Sequence, residues 1–205
     1  MIICDRRAFV FVHVQKTGGS SVNKLLKAHL PAEDRRSVAK RHSPLWVILR
    51  KEPQLADYFI FGIVRDPWDR MVSWFNMIDF YRQRYRKQGR SLEENGNPFW
   101  MRCAQYEDFD EFILRGTEEL ARLRRPQIAY LRTPRRKADF VGRTENLRDD
   151  VAEAMKRIGL DTPPIGQFKK GPQERESYRA YYNDATRRRV EEVFAKDLAA
   201  FGYQF

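Results

Sequence analysis

Short, almost continuously apolar segments recur along this chain. The strongest are Phe9–Val14, in which only His13 is polar, and Tyr58–Val64, which has no charged residue. Apolar runs of this length are typical of strands that are buried on both faces, as in a parallel sheet. A third, shorter candidate strand is Ala138–Gly142. The pattern therefore predicts a sheet that contains these three strands.

Segments in which apolar residues recur with helical spacing lie between and after the strands. They are Val22–Leu30, Asp66 to about Tyr85, Phe109–Leu114, Glu145–Ile158 and Ala185–Phe201. In the second of them, Asp66 is placed to cap a helix that begins at Pro67. The polar segments Gly89–Pro98 and Asp161–Gly171 are predicted loops. This alternation predicts an α/β fold with a central, mostly parallel sheet flanked by helices, which binds ligands at the carboxyl ends of its strands.

Composition narrows the class of protein. A chain of 205 residues, 42% of them hydrophobic, is expected to form one globular domain over residues 1–205. Its 39 basic and 28 acidic residues give a net charge of +11. Such an excess favours a polyanionic cofactor, an acidic substrate, nucleic acid or an anionic membrane surface, and charge alone does not choose among them.

Cysteine usage and the amino-terminal pattern bear on the compartment. Cys4 and Cys103 are the only cysteines, and they form neither a disulfide framework nor a metal-ligand spacing. The apolar run Ala8–Val14 is too short for a signal sequence or a membrane span. We therefore expect a soluble, cytoplasmic protein without a transmembrane segment and without a metal site.

The hexapeptide Lys16-Thr17-Gly18-Gly19-Ser20-Ser21 joins the first strand to the first helix. Its glycines allow a tight turn, and the helix that follows offers unpaired N–H groups and the positive end of its dipole. The lysine precedes the glycines, whereas a nucleotide-binding P-loop has its lysine after them. The loop thus predicts a phosphate-like ligand.

A second strand-to-helix junction carries Arg65, Asp66, Pro67 and, eight residues after the arginine, Ser73. An arginine and a hydroxyl in these positions can converge on one phosphate group. Taken alone, the segment can also be explained as a capped helix whose arginine pairs with a nearby carboxylate. The presence of the first loop favours the phosphate interpretation.

With both motifs the chain resembles the sulfotransferases that use 3′-phosphoadenosine-5′-phosphosulfate (PAPS), in particular the branch of carbohydrate and uronyl 2-O-sulfotransferases. The phosphosulfate loop of that family reads His-x-Pro-Lys-Thr-Gly-Gly-Thr-Ser, and residues 13–21 match it except at Gln15 and Ser20. Arg65 to Ser73 matches the family's 3′-phosphate motif. Phe140–Leu147 and the closing Tyr178–Phe205 resemble the same branch, so the resemblance spans nearly the whole chain.

The resemblance implies a three-layer, P-loop-like fold and transfer of a sulfuryl group from PAPS to an acceptor hydroxyl, leaving adenosine 3′,5′-bisphosphate. The acceptor would be a carbohydrate or another polar molecule, and an acidic glycan would suit the charge. No specific nucleic acid is implied. Lys16 would neutralise charge on the leaving phosphate. The residues implied to bind the cofactor are Lys16, Thr17, Gly18, Gly19, Ser20, Ser21, Arg65, Ser73, Lys169 and Lys170. Lys169 and Lys170 are equally well explained as a pair of solvated surface charges.

Three histidines are available to remove the proton from the acceptor. His42 lies in a loop between the first helix and the second strand, where the uronyl-sulfotransferase branch supplies its base, and it is the predicted catalytic partner of Lys16. A role in orienting the substrate, or simple exposure, also fits His42. His13 is predicted to shape the loop, and His29 to lie on the surface.

Two other functions are compatible with parts of the sequence. A P-loop phosphotransferase, such as a nucleotide kinase, would need a Mg²⁺ site and a lysine after the glycines. A non-catalytic, nucleic-acid-binding module would use the arginine-rich segments, and its binding would weaken steeply with salt and would not depend on Lys16.

Overall fold

The computed structural model describes residues 1–161 and 177–205. Lys169 and Lys170 lie outside the described residues, as does most of the predicted loop Asp161–Gly171. In chain order the described strands and helices are β1 (Ile2–Cys4), β2 (Phe9–Val12), α1 (Gly19–His29), α2 (Leu45–Lys51), β3 (Phe59–Val64), α3 (Pro67–Arg86), α4 (Pro98–Cys103), α5 (Phe109–Leu114), α6 (Gly116–Glu119), α7 (Ile128–Leu131), β4 (Phe140–Arg143), α8 (Leu147–Arg157), α9 (Asp184–Val193) and α10 (Ala195–Phe201). Short 3₁₀ helices are Pro53–Asp57, Glu93–Asn95, Thr144–Asn146 and Tyr178–Tyr181.

The chain divides into two compact units. Unit 1 contains Met1–Arg65 and the described residues from Gln127 to 161, and unit 2 contains Asp66–Pro126 and the described residues from 177 onward. That residues 1–205 form a single domain stays a prediction. In the part of the chain that the structure describes, no helix combines the length and the apolar character needed to cross a membrane.

Unit 1 is built on a four-stranded sheet in the order β1-β2-β3-β4. β2, β3 and β4 are parallel, which confirms the mostly parallel sheet, and Phe61 pairs with Phe11 on one side and with Phe140 on the other. β1 was not predicted; it runs antiparallel to β2 at the sheet edge. The parallel strands end at the same edge of the sheet, so the loop that follows β2 and Arg65, which follows β3, both leave its carboxyl edge.

Helices cover both faces of this sheet. On one face Phe9, Phe11, Phe61 and Ile63 form a buried cluster with apolar residues of α1 and α8. On the other face Leu131 of α7 lies so close to Gly62 that a Cβ there would come within 2.4 Å of its side chain. The three-layer α/β arrangement is thus confirmed within unit 1.

Unit 2 is helical among its described residues, and its core is rich in aromatic side chains. α3 begins as predicted, because the Asp66 carboxylate accepts hydrogen bonds from the backbone N–H groups of Trp68 and Asp69 at 2.9 and 3.2 Å. α5 has the predicted bounds. The predicted continuous closing helix is wrong, since the chain leaves helical geometry at the buried Phe194 and divides into α9 and α10.

Candidate functional site

The loop between β2 and α1 has a backbone conformation that favours an anion. Lys16 and Gly18 both have positive φ angles, 67° and 76°, the former rare for a residue with a side chain. Turns of this kind can direct successive N–H groups toward one point. The N-cap residue of α1 is Gly18, which has no side chain with which to cap the helix. A phosphate- or sulfate-sized group suits the N–H donors of such a turn and of the helix start that follows it.

Gly19, the first residue of α1, packs directly against His13. A Cβ at Gly19 would lie 2.3 Å from Cδ2 and 2.6 Å from Nε2 of the imidazole, closer than side chains tolerate. Only glycine therefore lets the helix begin this close to the end of the strand. Gly19, which the sequence predicts to bind the cofactor, is therefore also needed for the packing of α1 against His13.

His13 is held as a neutral ring. Its Nδ1 accepts hydrogen bonds from Asn23 Nδ2 at 2.8 Å and from Arg41 Nε at 3.3 Å. Burial, followed by the nearby charges of His42, the chain amino terminus and Arg41, lowers the pKa of His13 to about 2. Because its proton-accepting nitrogen is engaged and protonation is disfavoured, His13 is suited to shaping the loop and unsuited to accepting a proton.

His42 lies beside His13, with an edge-on ring contact of 4.5 Å between centroids. Its Nδ1 lies 3.0 Å from the backbone oxygen of His13. A carbonyl oxygen can only accept, so Nδ1 of His42 carries the hydrogen, and Nε2 is the nitrogen with a lone pair in the neutral ring. The structure thus places the predicted base, His42, against His13, which lies three positions before Lys16.

Arg65 leaves the carboxyl end of β3 with its backbone held by Gln127. The Arg65 N–H donates to Gln127 Oε1 at 2.9 Å, and Gln127 Nε2 donates to the Arg65 carbonyl at 2.7 Å. Gln127 is fully buried, and Arg65 is 9% exposed. The preceding residue is fixed too, since Thr144 Oγ1 donates to the Val64 carbonyl at 2.9 Å. Gln127 is therefore a positioning residue for the predicted phosphate-binding arginine.

Replacing Gln127 with leucine should lower the free energy of unfolding by about 2–4 kcal/mol, because two buried peptide groups of Arg65 lose their partners. Chemical denaturation followed by circular dichroism measures this loss. The matched control is Gln83→Leu on an exposed position of α3, for which we expect a change within about 0.5 kcal/mol. Equal stability of Gln127→Leu and the wild-type protein would contradict the positioning role.

The remaining predicted binding residues occupy different environments. Thr17 is buried, and its hydroxyl donates to the Val14 carbonyl at 3.1 Å, so its predicted donation to the ligand rests on the backbone N–H. Ser20 is exposed, and Ser21 is half-buried. Ser73 is half-buried on α3 of unit 2. That Arg65 and Ser73 bind one phosphate stays a prediction.

Three residues that sequence reasoning missed contribute to this region of unit 1. Asn23 and Arg41 fix the orientation of His13, and Gln127 fixes the backbone of Arg65. Arg41 could have been suspected as the neighbour of His42. Asn23 and Gln127 carry no local signal, because each acts on a residue that is distant in sequence.

Comparisons with known proteins give a family for this chain. The model described as the sulfotransferase family matches residues 1–204. The chain is similar to carbohydrate sulfotransferase 12 of Xenopus laevis, with 27% identity over 180 residues that cover 73% of this chain and 41% of the relative. It therefore spans less than half the length of that curated relative. Among solved structures it is similar to mouse sulfotransferase SULT7A1 complexed with PAP, with a TM-score of 0.48 and 12% identity over 96% of this chain and 86% of the other.

Proposed function

This chain belongs to the sulfotransferase family, and we propose that it transfers a sulfuryl group from PAPS to a hydroxyl of a carbohydrate acceptor. The observation that carries the proposal is the conformation of the loop between β2 and α1. Positive φ angles at Lys16 and Gly18, together with a glycine as the N-cap of α1, suit the 5′-phosphosulfate. The carbohydrate acceptor is suggested by the name of the similar Xenopus laevis protein.

The residues that would hold PAPS supply charge and hydrogen-bond donors without a metal ion. PAPS, when bound, supplies the sulfuryl group and a leaving phosphate on which negative charge grows. Lys16 would neutralise this charge, the type of stabilisation that contributes most to many enzymatic rate enhancements. The backbone N–H groups of Gly18–Ser20 would donate to the phosphosulfate, and Arg65 and Ser73 to the 3′-phosphate.

The acceptor hydroxyl must lose its proton as it attacks. His42 is suited to take it, because its Nδ1–H is already directed at the His13 carbonyl and its Nε2 therefore carries the lone pair. The hydrogen bond to the carbonyl also fixes the orientation of the ring. His42 would release the proton to solvent after transfer, since the ring is only half-buried.

Binding of adenosine 3′,5′-bisphosphate, measured by isothermal titration calorimetry, tests the proposed function most directly. We expect micromolar binding, weakened at least tenfold by Arg65→Ala because a charge-assisted contact to the 3′-phosphate is lost. Arg135→Ala, at an exposed position of the same unit, is the matched control and should bind like the wild-type protein.

Three outcomes would contradict the proposal. If the bisphosphate does not bind, the chain does not use PAPS. Tighter binding of ATP with Mg²⁺ than of the bisphosphate would favour a phosphotransferase. Binding of nucleic acid that is independent of Lys16 and falls steeply with salt, without binding of the bisphosphate, would favour the nucleic-acid-binding module.

A further inference from the structure

A cleft of about 380 Å³ lies along α1 within unit 1. This volume falls within the range of small-molecule sites, about 300–1,000 Å³. Its lining residues are Met1, Ile2, Ser20, Asn23, Lys24, Lys27 and Arg41. None of them is acidic, and three carry a positive side chain, so the cleft has the electrostatic character of an anion site.

The three cations of the cleft, Lys24, Lys27 and Arg41, have no acidic partner among the described residues. All three are exposed, and none takes part in the ion pairs found there. Arginines elsewhere on unit 1 do pair, for example Arg157 with Glu153 at 2.7 Å. Unpaired like charges around one cavity repel each other, and an anionic ligand would relieve that repulsion.

The cleft is continuous with the candidate transfer site through Arg41 and Ser20. Arg41 Nη2 donates to Ser20 Oγ at 2.9 Å, while its Nε contacts His13. Lys24 and Lys27 lie four and seven residues after Ser20, on the same face of α1 and about 6 and 10 Å further along its axis. The cations therefore begin where the predicted phosphosulfate loop ends.

A neutral polar contact is also available in the cleft. Asn23 directs its Nδ2 to His13, and its buried Oδ1 has no hydrogen-bond donor among the described residues. A buried acceptor of this kind is costly unless it is paired with a donor. A sugar hydroxyl or a water molecule can supply one, and a phosphate ester without a hydrogen cannot.

From this arrangement we propose that the cleft binds the anionic group of the acceptor, a carboxylate or a sulfate ester, and that Lys24 and Lys27 determine the preference for acidic acceptors. The proposal rests on the proposed function, because it identifies the bound molecule as the acceptor of sulfuryl transfer. Arg41 contacts both the loop and the cleft, so it would couple the position of the acceptor to the position of the phosphosulfate.

Calorimetry on protein saturated with adenosine 3′,5′-bisphosphate tests the proposal without requiring turnover. The probes are three forms of one short oligosaccharide: one with hexuronic acid carboxylates, one with the carboxylates reduced to alcohols, and a reduced form that carries a sulfate ester. The protein variants are Lys24→Ala/Lys27→Ala and the matched control Lys156→Ala, which alters an exposed lysine of α8.

We expect at least one anionic form to bind about tenfold more tightly than the neutral form, and the double variant to lose this difference. The form that shows the preference identifies carboxylate or sulfate as the anion. Lys156→Ala should bind as the wild-type protein does, and every variant should keep its affinity for the bisphosphate.

Equal affinity for all three probes, or no binding of any, would overturn the proposal. A loss of bisphosphate affinity in the double variant would overturn it as well, because the cleft would then belong to the cofactor. These results differ from failure of the proposed function, which would show as an absence of bisphosphate binding by the wild-type protein.

Discussion

Replacing Lys16 with alanine is expected to lower the rate constant for sulfuryl transfer by roughly 10²- to 10³-fold, the usual cost of removing one group that stabilises transition-state charge. The ammonium group precedes Gly18 and Gly19 in the loop that is proposed to bind the phosphosulfate. The measurement is a single-turnover assay with labelled PAPS and an acceptor mixture. A variant that retained the wild-type rate would show that Lys16 does not act on the leaving phosphate.

The unusual backbone of Lys16 calls for a second variant that separates charge from conformation. Its φ of 67° strains any residue with a Cβ, whereas glycine adopts this angle readily. Lys16→Gly removes the ammonium group without imposing that strain, and its stability should stay within about 1 kcal/mol of the wild type. Both Lys16 variants should lose the same activity, and Lys156→Ala should lose none.

Replacing His42 with asparagine is expected to reduce transfer by roughly 10²- to 10⁴-fold while leaving the loop in place. An asparagine amide can donate to the His13 carbonyl in place of Nδ1, but it offers no proton-accepting nitrogen. Bisphosphate affinity should therefore change little. The comparison is His42→Ala, which loses both the base and the hydrogen bond, and the readouts are transfer rate, bisphosphate affinity and recovery of activity with added imidazole.

A matched control for His42 is His29→Ala. His29 lies at the end of α1, where its Nδ1 contacts the Leu25 carbonyl at 3.0 Å, and its loss should leave transfer unchanged. If His42→Asn retained wild-type turnover, the proton would have to leave by another route. His13 could not provide it, because a pKa of about 2 leaves its ring a very weak base.

The sequence predicted those parts of the fold that are long and regular. β2, β3, α1, α3 and α5 each have a continuous apolar run or helical spacing, and in α3 the cap at Asp66 marks the start. β1 and α7 are three and four residues long, too short for a period to be recognised. The break at Phe194 could not be predicted either, because no glycine or proline stands beside it in the sequence. We attribute the break to burial of the Phe194 ring in the core of unit 2, which competes with local helix propensity.

Some residues of the candidate site could also be predicted from the sequence, and others could not. The loop from Lys16 to Ser21 and the segment that begins with Arg65 could be predicted as candidate sites, because in each a strand, a short turn and a helix follow one another in sequence. Gln127 could not, because it reaches Arg65 across 62 residues of chain. Asn23 could not either, since its amide acts on a ring that only the folded structure brings to the helix.

The two hydrogen bonds to Nδ1 of the buried His13 ring have a consequence for how this protein would respond to a change of pH. Because burial lowers the pKa of His13 to about 2, the ring stays uncharged throughout the pH range that cells experience. Acidification within that range would therefore not add a charge to this ring. Under the proposed function, the support that His13 gives to the loop would therefore not depend on its protonation, and proton transfer would depend on His42 alone.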